Sequence, residues 1–399
     1  MYKLNKSVEK IELNNQMFLA NFETGAMVLL DDARKKILDN VSAQRTLREE
    51  IFINDQEFLE KMLDGGYFDT IEQPLASAYL HVTNICNLNC IGCYSYDRTR
   101  NCKNKLSLKQ VQYIIRELVD NGVEQITISG GEPLIREDLV SILEYAKEVG
   151  VQRIFLITNG TVYKPQLLEK LKPFIDELAV SIDGYSYENP HFLRDKGTFP
   201  KVIEFVKLAK KKNMPVAILP TLHQKNIEAM GEYMKLSHQL EVPISFSLLT
   251  CSGELKDYIP TENNLQYLAD FLTKFMKKEI VPLNDYSTLE AKKDCGAGSS
   301  IISVTAEGDV YPCHMMHDTN TKMGNILETP LKKILQSASS VPCVENVEKC
   351  KDCSVRYVCG GGCKARALLL NGNWSQPDPY CRLNKSFYQS YIKEKRSIG

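Results

Sequence analysis

Between about Leu75 and Lys278 the sequence alternates six short apolar runs (ASAYLHVT, EQITIS, VQRIFLIT, DELAVSI, PVAILPT and VPISFSL) with amphipathic helical patterns. That alternation leaves few folds open. Strands and helices in strict succession require right-handed crossovers and a parallel sheet, here a full or partial (β/α)6 parallel barrel in an α/β protein. In LSLKQVQYIIRELVDNG, Ser107 and Gln110 predict a capping box, Leu108, Val111, Ile115 and Leu118 line one face, and Gly122 ends the helix. Barrels of this kind bind ligands at the C-terminal ends of their strands, so chemistry is expected there.

Thirteen cysteines accompany this pattern in a chain of 399 residues. Apart from Cys102 and Cys251 they fall into two blocks, Cys86 to Cys93 and Cys295 to Cys381, about two hundred residues apart. Tight CxxC-like groups in a long chain favour metal over disulfides. The first residues, MYKLNKSVEK, have no apolar segment followed by a cleavage site, and nowhere do about eighteen apolar residues run together. A net charge of -1 gives no reason to expect nucleic acid or an anionic membrane as partner. A cytoplasmic protein is expected.

The first block, CNLNCIGC, places Cys86, Cys90 and Cys93 just after the first strand. A zinc site normally closes with four protein ligands, whereas an iron-sulfur cubane held by three cysteines leaves one iron open to a cofactor or substrate. Spacing alone leaves both readings standing. Two further motifs sit at strand ends. ISGGEPL follows the second strand, where Gly130 and Gly131 let a ligand approach the main chain and Pro133 suits the first turn of a helix. AVSIDG ends the fourth, with Ser181 and Asp183 two apart and so on one face, where polar side chains turned inward require partners.

Taken together, these residues resemble the radical SAM enzymes. The resemblance implies that Cys86, Cys90 and Cys93 hold a [4Fe-4S] cluster whose open iron is chelated by S-adenosylmethionine. It further implies that Gly130, Gly131 and Glu132 bind the cofactor's amino group, Ser181 and Asp183 its ribose, and Arg194 in HFLRDKGTF its carboxylate. Tyr94 follows the third cysteine. Gly92 stands where the family usually carries a bulky residue, which leaves the adenine contact there to the backbone. Asn159 in ITNG and the Leu248 backbone are expected as pocket lining. The implied activity is reductive cleavage of the cofactor to a 5'-deoxyadenosyl radical that abstracts hydrogen, fed by a low-potential donor such as flavodoxin or ferredoxin.

The second block, CGAGSSIISVTAEGDVYPC, then CKDCSVRYVCGGGC, then Cys381, resembles the SPASM extension of that family. The resemblance implies two auxiliary [4Fe-4S] clusters, one on Cys350, Cys353, Cys359 and Cys381 and one on Cys295, Cys313 and Cys363. The second either keeps an open iron or takes a fourth ligand such as Cys343. His314, in YPCHMMH, occupies the place where sulfatase maturases carry a base aspartate, which demotes that reading and makes His314 and His317 candidate acid or base groups.

Residues 1 to 72 read differently. VEKIEL, QMFLANF and AMVLLD suggest short strands with turns at Asn14-Asn15 and Thr24-Gly25, followed by helices over DARKKILDNV and DQEFLEKMLDGG, with IEQPLAS as linker. This winged-helix-like α+β module is similar to the peptide-recognition element of enzymes that mature ribosomal peptides. The expected division is thus 1–72, 73–280 and 281–399, the last a cysteine-rich Fe-S domain. The expected function is a peptide maturase that forms a thioether or carbon-carbon crosslink in a precursor peptide with a leader. A sulfatase-maturase-like enzyme and a small-molecule SPASM dehydrogenase are alternatives. So, outside enzymes, are a multicluster electron carrier and a redox-sensing regulator, neither of which needs GGEP and SxD at barrel strand ends.

Overall fold

The computed structural model describes residues 2–13, 15–39, 45–47, 52–69, 75–95, 101, 106–190, 192–250, 253–276, 290–338 and 341–395. Asn14, Cys102, Cys251 and most of the expected linker lie outside them. The chain forms two compact units, one of Met1–Gln73, Tyr286–Cys295 and Val341–Gly399, the other of Pro74–Asp285 and Gly296–Ser340. The segment 281–399 therefore contributes to both.

The second unit is built on a mostly parallel sheet. Ser77–Thr83, Gln125–Gly130, Arg153–Thr158, Glu177–Ser181 and Val216–Leu219 lie side by side in chain order, all parallel. The fifth run continues past Pro220 as Thr221–Leu222, which pairs in parallel with Ser247–Leu248, the end of the sixth run. These five runs and the sixth are the six strand candidates of the sequence. Each is apolar because each is buried: Leu80, Val82, Ile126, Ile128, Leu156, Leu178 and Val180 are fully enclosed between sheet and helices. On its other edge the first strand pairs in parallel with Ile301–Val304, which continues antiparallel into Asp309–Tyr311 and Gly324–Asn325.

The helix Leu108–Asp120 starts as its sequence directs. Ser107 Oγ accepts from Gln110 N, and Gln110 Oε1 accepts from Ser107 N at 2.9 Å. Its buried residues are Val111, Ile114, Ile115 and Leu118. Ile114 replaces Leu108, which lies in the first turn and is only half covered.

Beyond the fifth strand, His223 is buried with its ring edge-on to Phe192, centroids 4.4 Å apart, and its Nδ1 accepts from Lys225 N at 3.1 Å. Burial, helped by the Lys225 charge, pulls this imidazole down to about 4. The unfolded chain, with an ordinary imidazole, binds the proton more readily. Stability is therefore whole above about pH 6.5 and falls as pH drops toward 4, by about 1.4 kcal/mol per pH unit at most. Urea denaturation from pH 7.5 to 4.5 is expected to show this slope, reduced in His223→Gln. An unchanged slope in the variant contradicts the assignment.

In the first unit, Val8–Leu13, Gln16–Asn21 and Met27–Leu29 form an antiparallel meander, and Tyr2–Lys3 pairs with Thr46–Leu47. Asn15 and Gly25 take positive φ at the two expected turns. The helices run Asp32–Asp39 and Gln56–Asp64, the second capped by Asp55, which accepts from Phe58 N at 3.0 Å. Phe52, Phe58, Met62, Leu47 and Tyr67 make the core beneath them.

Candidate functional site

At the C-terminal ends of the parallel strands, the segment from Cys86 to Ser95 is held by the rest of its own connection and by those that follow other strands. Cys86 N donates to Asn101 Oδ1 at 2.9 Å, Asn89 N to Asp195 Oδ2 at 2.9 Å, and Gly92 N to Leu193 O at 3.3 Å. From the third strand, Asn159 Nδ2 reaches Asn87 Oδ1 at 2.9 Å and lies 3.8 Å from Cys86 Sγ. Tyr94 OH meets Ser129 Oγ at 2.5 Å, while Ser95 Oγ lies 3.3 Å from Cys93 Sγ and donates to Gly130 O at 3.0 Å. Burial pushes the Cys90 thiol up, and the nearby Arg194 charge opposes that shift. A half-buried thiol beside a guanidinium suits a thiolate that a metal will hold.

The two glycines after the second strand have a reason that the sequence did not disclose. A Cβ on Gly130 would sit 2.3 Å from Thr83 O, and one on Gly131 2.2 Å from Ile85 O. The close approach is made by the chain's own first loop, clamped through Gly131 N to Thr83 O at 2.6 Å and Glu132 N to Ile85 O at 2.8 Å. Glu132 is fully buried. Its carboxylate accepts from Leu134 N at 3.0 Å, Thr158 Oγ1 at 2.8 Å and Asn159 N at 2.7 Å. Three of its roughly four acceptor positions are thereby used to join the second strand end to the third. Desolvation raises this carboxyl, and these hydrogen bonds oppose the rise.

Arg194 Nε donates to Asp183 Oδ2 at 2.8 Å, both side chains being largely buried, and Asp183 Oδ1 accepts from Thr221 N at 3.1 Å. Arg194 and Asp183, given separate contacts by the resemblance, are thus partners of one another. Ser181 is the last residue of the fourth strand, and Leu248, buried, pairs with Leu222. A side chain on Gly92 would meet Leu193 at 3.0 Å, so the space a bulky residue would fill there is taken by that leucine.

Beside these strands lies an aromatic cluster. His314 stacks on Tyr79 with centroids 4.0 Å apart and meets the edge of Tyr94 at 5.5 Å. His317 lies 4.8 Å from His81 and 2.9 Å, through Nε2, from Ser303 Oγ. Burial, with His317 adding to it, pulls His314 down to about 3. At neutral pH it is an uncharged ring and a weak proton acceptor.

In the first unit, Cys350, Cys353, Cys359 and Cys381 line one cavity. Burial raises Cys350 and Cys381 and pushes Cys359 up to about 12, so the pocket alone disfavours thiolates. A metal reverses that preference. Behind them Asp378 accepts from Arg366 through both oxygens, at 3.0 and 2.8 Å, and from Cys363 N at 2.8 Å and Tyr380 N at 2.9 Å. Neither Asp378 nor Arg366 was singled out by the cysteine spacing. The only signal was an acidic residue three before Cys381. Cys343 Sγ lies 4.0 Å from Asp294 Oδ2, and Val344 N donates to Lys293 O at 2.7 Å, so Cys343 adjoins the segment that ends in Cys295. Cys295 and Cys363 belong to the first unit and Cys313 to the second.

The model of the radical SAM superfamily matches residues 80–237, and that of the SPASM iron-sulfur cluster-binding domain matches residues 295–354. The chain is a radical SAM protein with a SPASM domain. It is 27% identical over 329 residues to the AdoMet-dependent heme synthase of Methanosarcina barkeri, covering 74% of this chain and 93% of that protein. It is 26% identical over 321 residues to the mycofactocin maturase of Mycobacterium tuberculosis, covering 75% and 81%. Among solved structures, anSMEcpe with bound AdoMet matches with a TM-score of 0.65 at 18% identity, covering 81% of this chain and 98% of that one. Streptococcus suis SuiB bound to its precursor peptide SuiA matches at 0.60 and 18%, covering 96% and 100%. These structures share the radical SAM fold. Radical SAM and SPASM domains bind Fe-S clusters and S-adenosylmethionine, and the thiol groups described above have the donor chemistry such clusters require. Among the described residues no helix is long and apolar enough to cross a membrane.

Proposed function

We propose that this radical SAM protein is a peptide maturase that installs a thioether or carbon-carbon crosslink in a ribosomally made precursor peptide. The observation that carries this reading is the similarity to mycofactocin maturase over 81% of that protein's length. The likeness of fold to SuiB, solved with its precursor peptide, is consistent with it. When bound at Cys86, Cys90 and Cys93, the cluster and S-adenosylmethionine supply a carbon radical able to take hydrogen from an unactivated carbon.

The chain's own residues do the holding. Glu132, Gly130 and Gly131 fix the loop over the first cysteine segment, Asn159 orients Cys86, and Arg194 with Asp183 places a charged pair beside Cys90. Ser181, Leu248, Gly92 and Tyr94 line the remaining walls. His314, neutral and stacked on Tyr79, serves as a wall of the substrate side rather than as a base. Cys350, Cys353, Cys359 and Cys381 hold one auxiliary cluster. Val8–Leu13 pairs on one side only among the described residues, so its outer edge can add a leader peptide as a further strand. A flavodoxin or ferredoxin supplies the electron.

A second reading draws on the heme synthase of Methanosarcina barkeri, and would make an iron tetrapyrrole the substrate. One assay separates the two. The reconstituted protein is incubated without oxygen with S-adenosylmethionine, dithionite, and either a short precursor peptide encoded beside it or iron coproporphyrin III. The proposal expects the peptide alone to change, losing a pair of hydrogens per crosslink. Turnover of the porphyrin, with the peptide unaltered, would overturn it.

A further inference from the structure

Two nitrogen atoms of cationic side chains in the first unit are enclosed without a hydrogen-bond partner. Lys364 is completely enclosed and its Nζ has no hydrogen-bond partner, and the same holds for the enclosed Nε of Arg356. Both belong to the neighbourhood of the four-cysteine cavity. Arg356 lines it, its Nη1 donating to Cys353 O at 3.4 Å. Lys364 Nζ stands 3.0 Å from where a Cβ on Gly361 would be, and Gly361 lines the same cavity. At φ +78° and without a side chain, Gly361 leaves that ammonium room. The one carboxylate that lines the cavity, Asp378, is already paired with Arg366. A buried ammonium left unpaired is costly, and an anion at this place would relieve that cost.

We propose that Lys364 and Arg356 are the countercharges of the cluster on Cys350, Cys353, Cys359 and Cys381, and that they set its reduction potential. The inference rests on the proposed assignment of those four thiols. A thiolate-ligated cluster is anionic and becomes more so on reduction. A fixed cation beside it, and an N–H aimed at its sulfurs, therefore stabilise the reduced form and raise the potential. Lys364 is thus a positioning residue for charge, not a ligand.

The test is an EPR-monitored redox titration of the fully reconstituted protein, following the wave that Cys359→Ala removes. Lys364→Met is expected to move that wave to a more negative potential by at least tenfold in the one-electron equilibrium, about 59 mV. Lys364→Arg should restore it, and Arg356→Gln should shift it the same way by less. If Lys364→Met fails to take up iron, Arg356→Gln decides: a negative shift supports the proposal, and an unmoved wave overturns it. Full iron content with an unchanged potential in both variants makes the two cations structural only and overturns the inference while leaving the cluster assignment standing. A Cys359→Ala variant with the iron content of the wild-type protein overturns both.

Discussion

Asp378→Ala is expected to destabilise the first unit by about 3–5 kcal/mol, the cost of breaking a buried ion pair by removing one partner. Arg366 and Asp378 side chains are 4% and 1% exposed, so water cannot take over as partner for the guanidinium. The same carboxylate fixes the backbone at Cys363 and Tyr380 and accepts from Asn384 Nδ2 at 3.1 Å, so its loss also releases the two segments that carry Cys363 and Cys381. Denaturant titration measures the stability loss, and iron analysis after reconstitution is expected to show the four-thiol site empty. Asp378→Asn, which keeps one acceptor oxygen but not the charge, should lie between. A variant with wild-type stability and iron content contradicts the role given to this pair.

Glu132→Ala acts on the second unit with comparable force. It strips Leu134 N, Thr158 Oγ1 and Asn159 N of their acceptor inside the protein, each unsatisfied buried donor costing about 1–3 kcal/mol, less in sum because the three are neighbours. Asn159 also bonds to Asn87 beside Cys86, so the disturbance passes to the first cysteine segment. Expected are a loss of about 3–5 kcal/mol in stability and weaker binding of S-adenosylmethionine by equilibrium dialysis. Glu132→Gln, whose amide keeps one oxygen acceptor, should retain part of both. If Glu132→Ala loses cofactor binding with no loss of stability, the carboxylate acts on the ligand and not on the loop.

The strands were legible because their signal is local: apolar runs of strand length, bounded by turn residues, recur six times, and the first five reappear side by side in the sheet in the same order. The capping box at Ser107 and Gln110 needs only four consecutive residues. What escaped was non-local. That Gly130 and Gly131 make way for Thr83 and Ile85 depends on a partner segment about fifty residues earlier. That Arg194 bonds to Asp183 depends on how the turn after the fourth strand folds back. Lys364, next to Cys363, carries no local signal of its burial, and only the packed structure shows it enclosed. The expected 281–399 domain contributes to two units because a cysteine-rich stretch without periodicity does not disclose which core each part joins. His314 stands out in the sequence by its place after Cys313, but its stacking on Tyr79 and its edge contact with Tyr94 depend on residues far from it in sequence.

One anaerobic measurement bears most directly on the first three thiols: release of 5'-deoxyadenosine from S-adenosylmethionine under dithionite, with iron counted in the same sample. The intact protein is expected to release the nucleoside while holding about twelve irons. A variant with Cys86, Cys90 and Cys93 all changed to Ala should release none and keep about eight. Nucleoside released undiminished by that variant, or zinc in place of iron at those thiols in the intact protein, would contradict the account.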